Sequence, residues 1–128
     1  MDTVKVIIEQ HGGLARLKFN PIKVVNPPFM DLCIEYVGCE YGGLCVSVAH
    51  YYEQNGDLVA DPEVVILVKD DTWTPIQYSQ PGMGVFYQAM YTGEDGKVMV
   101  RPQMMKELAR FCSMWSRNLR SQGFIKSL

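Results

Sequence analysis

A chain of 128 residues has room for one domain's core and too little for two. Its 48% hydrophobic and only 20% charged residues supply that core and exclude a disordered or collagen-like chain. The formal net charge of -2 argues against a surface built wholly for nucleic acid, and no apolar run approaches the ~18 residues that cross a bilayer.

The start Met1-Asp2-Thr3 lacks the basic and small-residue flanks of a signal peptide, so a cytoplasmic location is expected. Over residues 3–11, Val4, Ile7 and Ile8 fall at helical spacing before Gly12-Gly13, which predicts a short amphipathic helix. The run Leu14 to Asn20 intersperses Leu14, Arg16, Leu17, Lys18 and Phe19 and reads as a strand. Asn20-Pro21 and Asn26-Pro27-Pro28 then impose an extended, irregular link, because a residue before proline is pushed out of the α region.

Asp31 to Val37 is a second strand, with Leu32, Ile34 and Tyr36 on one face and Cys33, Glu35 and Val37 on the other. Gly38 and Gly42-Gly43 bracket a turn, and Leu44 to Gln54 runs to Asn55-Gly56, a strong hairpin signal because a type I′ turn needs positive φ at both central residues. A return strand follows, and Glu63 to Lys69 holds a continuous apolar run that suits a central strand buried on both faces. Trp73 to Gln80 and Val85 to Thr92 are further strands around Pro81-Gly82, and Asp95-Gly96 turns the chain into Lys97 to Val100. Pro102 suits the first turn of a C-terminal helix, and Gly123 is placed to supply its left-handed cap with Phe124 folding back on Leu119. Connections this short do not allow parallel crossovers. The expected fold is α+β: one domain over 1–128, with an antiparallel sheet of about five or six strands packed with an N-terminal and a C-terminal helix.

Charge is unevenly spread. Residues 1–96 carry five Lys/Arg against thirteen Asp/Glu, a net -8, and residues 97–128 carry seven against one, a net +6. On a helical wheel Met104, Leu108, Phe111, Cys112, Trp115 and Leu119 form the core side of the C-terminal helix. Lys106, Arg110, Arg117 and Arg120 fall within about 80° on the opposite side and run for about 21 Å. This basic stripe suits an acidic partner or phosphate, since a guanidinium offers fixed paired donors. It equally suits a solvated helix face, or one held against the chain's own acidic body.

Cys33, Cys39, Cys45 and Cys112 include no C-x-x-C pair, so zinc spacing is missing and reduced thiols are expected. The best candidate polar site is His50, Glu53, Asp57, Asp61 and Glu63 around one hairpin. Carboxylates with a histidine can bind a hard divalent cation or place a general acid and base, although Asn-Gly-Asp and Asp-Pro are also ordinary turn chemistry. Cys45 or Cys112 with His50 is a formal nucleophile pair that no motif selects. There is no G-x-S-x-G, no H-E-x-x-H and no phosphate-binding glycine loop.

The run Ser47-Val48-Ala49-His50-Tyr51-Tyr52-Glu53-Gln54-Asn55-Gly56-Asp57-Leu58, then Asp61-Pro62-Glu63, resembles the signature of a small family of uncharacterised bacterial proteins carried by conjugative elements and phages. Asn26 to Met30 and Trp115 to Phe124 fit the same pattern. The family has no assigned activity, so the resemblance carries over no catalytic residue, cofactor or metal. It implies an accessory setting in which small proteins bind a host-defence effector, such as a CRISPR nuclease or restriction enzyme, or its nucleic acid. Three functions follow as expectations: a non-enzymatic module that binds a protein partner through a sheet edge, the hairpin cluster or the basic stripe; a nucleic-acid-binding accessory protein using the stripe; and a metal-dependent enzyme at the hairpin cluster. No membrane contact is expected, and an exposed edge strand could pair two copies.

Overall fold

The computed structural model describes residues 1–125. Helix α1 (Asp2–Gln10) buries Thr3, Val4, Ile7 and Ile8, as the helical spacing requires. The second element corrects the sequence reading: Leu14 to Asn20 is not a strand but begins with a single helical turn, α2 (Gly13–Leu17). Gly12 at φ 104° turns the chain there, and Leu14 and Leu17 sit three apart, so one helical turn directs Leu17 into the core. Phe19, which a strand would have paired with Leu17, is left exposed.

Among the described residues eight strands follow: β1 (Ile22–Val24), β2 (Leu32–Glu40), β3 (Gly43–Gln54), β4 (Asp57–Lys69), β5 (Thr72–Gln80), β6 (Val85–Gln88), β7 (Met90–Thr92) and β8 (Val98–Val100). The first six form one antiparallel sheet in sequential order, and β7 pairs with β8 in a separate two-stranded ribbon. Asn55 and Gly56 both take positive φ in the β3–β4 hairpin, as the dipeptide predicts; Asp70 and Asp71 do the same between β4 and β5. The return strand and the Glu63 to Lys69 run prove to be one strand of 13 residues. Pro62 is tolerated inside it because the β3–β4 register shifts beside it, between Ala49 and Tyr51. The Val85 to Thr92 stretch breaks at Ala89, whose N–H bonds Ile76 O while its carbonyl accepts from Arg101 N–H.

Helix α3 (Pro102–Ser121) closes the domain. Its end is the predicted Schellman motif: Gly123 at φ 89°, its N–H on Arg120 O, and Phe124 N–H on Leu119 O. One face of the sheet carries Ile34, Val46, Val48, Val64 and Ile66, which share a core with α1 and α3. On the opposite face Cys45, Leu67 and Ile76 form a smaller cluster with Met90 from the ribbon, so β4 is buried on both sides. Tyr78 and Tyr87 stack at 5.3 Å under the edge of Phe111. The expected α+β fold, an antiparallel sheet packed with an N-terminal and a C-terminal helix, is thus the observed one.

Candidate functional site

The hairpin polar residues do not gather. Strand alternation sends His50 toward the helices and Glu63 to the opposite face, where Ser47 Oγ donates to Glu63 Oε2 at 2.5 Å. Glu53 and Asp57 stand exposed near the hairpin tip. Asp61 accepts from Gln80 Nε2 at 2.8 Å, and Gln80 in turn accepts from the Tyr78 hydroxyl. Among the described residues no group of three or more His, Cys, Asp or Glu is placed to hold a metal ion. Glu63 and Glu40 instead line a depression of about 280 Å³ on the far face of the sheet, with Gln77 and Gln88. Burial, with Glu63 and Glu35 close by, pushes the nearby Tyr51 hydroxyl up to about 12.

His50 has a structural part that its neighbours define. Its Nδ1 lies 3.1 Å from Met30 O and 3.2 Å from Asp31 O, and its ring rests 5.4 Å from Trp115 and 5.6 Å from Phe124. Asn26 Nδ2 donates to Gln122 O at 2.7 Å, which satisfies a carbonyl at the end of α3, and Phe29 packs on Phe124. The three separated segments that suggested a family, around Asn26, His50 and Trp115 to Phe124, therefore meet in one knot at the C-terminal end of α3. Cys112 is buried in the same helix, and desolvation pushes its thiol up to about 12. It is a packing residue, far from the thiolate state that nucleophilic attack needs.

The basic stripe is as the wheel predicts: Lys106, Arg110, Arg117 and Arg120 are all exposed, and none pairs with a carboxylate among the described residues. Met104 and Phe111 are half-buried at the margin of the core side, which Leu108, Cys112, Trp115 and Leu119 fill completely.

One concavity was not foreseen. A groove of about 1000 Å³ runs between α1 and β1, with Val6, Val24, Val25 and Phe124 as its apolar lining and Lys5, Glu9 and Lys23 among the polar residues around them. The sequence signal was present. Val6 is a half-buried apolar residue away from the face of α1 that holds Val4, Ile7 and Ile8, and Val25 is exposed beyond the end of its strand. Both lie outside the periodic pattern that marks core, and such residues are what a binding groove needs. The α1 wall of the groove is tied to α3 by hydrogen bonds. Thr3 N–H, one of the unpaired donors at the start of α1, bonds Ser116 Oγ at 3.0 Å; Thr3 Oγ1 donates to Ser116 O at 2.6 Å and accepts from Ser116 Oγ at 3.0 Å. Phe124, fixed by the knot around His50, forms part of the same wall.

No helix among the described residues is long and apolar enough to cross a membrane. Comparisons with curated proteins and with solved structures gave no match. The model of one family, described as a domain of unknown function (DUF6908), matches residues 2–125, so the chain belongs to that uncharacterised family.

Proposed function

We propose that the protein is a non-catalytic interaction module that takes an apolar segment of a protein partner into the groove between α1 and β1. The observation that supports it is the groove itself: about 1000 Å³, open to solvent, apolar in its lining and ringed by charged side chains. Interfaces of this kind place anchor side chains in a desolvated centre and charges at the rim. The scattering of His50, Glu53, Asp57, Asp61 and Glu63 supports this reading over a metal-dependent enzyme there. The resemblance to accessory proteins of mobile elements makes a host-defence effector, of the kind targeted by anti-CRISPR or anti-restriction proteins, the first class of partner to test.

Affinity capture from host lysate, with and without nuclease and read by mass spectrometry, tests this. Wild type is compared with Val25→Glu, a substitution at an exposed position in the groove, and with a variant carrying Arg110→Gln, Arg117→Gln and Arg120→Gln. The module reading expects a defined protein that survives nuclease, is lost with Val25→Glu and is kept by the triple variant. Loss of every partner on nuclease treatment overturns it.

One observation favours a second reading, nucleic-acid binding by the stripe: its four cations are exposed and unpaired among the described residues. Four phosphate contacts on duplex DNA would give a slope of about -3.6 for log K against log salt. Binding without that slope, or binding unaffected by the triple variant, dismisses it.

A further inference from the structure

The two edges of the six-stranded sheet are protected very differently. At one edge β1 is three residues long, carries Lys23 and runs directly into Asn26-Pro27-Pro28, all devices that discourage another strand from adding. At the other edge β6 reads Val85-Phe86-Tyr87-Gln88, with no charge and no proline. Its backbone polarity can be read from its neighbours. Ala89 N–H points to Ile76 O on β5, so by alternation the N–H and C=O of Gln88 and Phe86 point away from the sheet. Arg101 Nη1 donates to Gln88 O at 2.6 Å and closes that end, leaving Phe86 at the centre of the open stretch. The side chains along this edge are exposed apolar groups: Met83 is 72% and Phe86 62% exposed, and Val98, Met99 and Val100 of the adjoining ribbon are about half exposed.

We propose that β6 pairs antiparallel with β6 of a second copy about a two-fold axis at Phe86, joining two sheets into one. An isologous contact of this kind is self-complementary, and Phe86 of each copy donates its N–H to the carbonyl of the other. β6, Met83 and β8 expose roughly 500 Å² of apolar side chain per copy, which sets an upper bound of about 1,000 Å² on the total that pairing can bury, the lower limit for a specific interface. Because the α1–β1 groove lies at the opposite edge, the dimer would carry one groove at each outer end. The pairing itself does not depend on what the groove binds.

Sedimentation velocity from micromolar to near-millimolar concentration tests the proposal, with Phe86→Lys as the edge variant and Leu58→Lys, an exposed apolar position at the β3–β4 hairpin, as the control. The expected result is a concentration-dependent dimer for wild type and Leu58→Lys, and a folded monomer for Phe86→Lys with a far-ultraviolet circular dichroism spectrum unchanged. Amide exchange at Phe86 should slow as wild type dimerises. A wild type that stays monomeric throughout, or a Phe86→Lys variant that still dimerises, overturns it.

Discussion

Ser116→Ala is a deletion of one oxygen whose cost the structure makes large. Ser116 Oγ is the acceptor for Thr3 N–H at the first turn of α1, and both residues are buried, so no water can replace it. A buried donor left without a partner costs about 1–3 kcal/mol. At an unfolding entropy of about 2.1 cal/mol/K per residue, a chain of this length loses about 4–11 °C of Tm. Thr3→Val is expected to cost less, because it keeps the N–H bond to Ser116 Oγ, Ser116 O retains its place in the α3 ladder, and the Ser116 hydroxyl hydrogen that loses Thr3 Oγ1 can rotate to the carbonyl one turn back in α3. Ser113→Ala, at an exposed position one turn earlier, should stay within about 0.5 kcal/mol. Calorimetry of the three variants reads the order directly. A Ser116→Ala midpoint equal to that of Ser113→Ala, or a Thr3→Val variant that is the least stable, would refute the view that this contact pins α1 to α3.

His50→Ala should destabilise by about 2–4 kcal/mol, since it opens a cavity against Trp115 and Phe124 and strips Met30 O and Asp31 O of their donor; a urea midpoint within error of wild type would contradict the knot. Stability should fall on the alkaline side. Tyr51 and Cys112 each rise on folding, from about 10 and 9 to about 12, through burial, so the folded state holds their protons more tightly than the unfolded chain. Their contribution is complete below about pH 9 and is lost as pH climbs toward 12, and urea titrations across that range should show the decline; a slope unchanged in a Tyr51→Phe/Cys112→Ala variant would contradict the assignment. Magnesium, manganese or zinc should leave Tm within about 1 °C, because the hairpin carboxylates do not converge; a concentration-dependent rise would restore the metal reading.

Much of the fold is legible because local signals agree with one another. The Asn55-Gly56 turn, the Pro102 start and Gly123 cap of α3, and the apolar run ending at Lys69 each specify a local conformation, and the structure uses each one. One exception is Leu14 to Asn20, where five or six residues do not distinguish one helical turn from a short strand. The site was much less legible. Residues adjacent in sequence on a strand point to opposite faces, which is why His50 and Glu63 look clustered in the hairpin yet lie on opposite sides of the sheet. The groove is built from α1, β1 and Phe124, over a hundred positions apart, and the Thr3–Ser116 bond spans 113 residues. Contacts of that range leave only indirect marks in a single sequence, such as the stray apolar Val6 and Val25.

The most direct test of the interaction module is amide hydrogen exchange on the chain alone and bound to the captured partner. Occupation of the groove predicts slower exchange in α1 from Lys5 to Gln10 and over Lys23 to Val25, with the stripe from Lys106 to Arg120 unchanged. Protection confined to α3, with the groove unchanged, would contradict the account and move the binding surface to the basic helix.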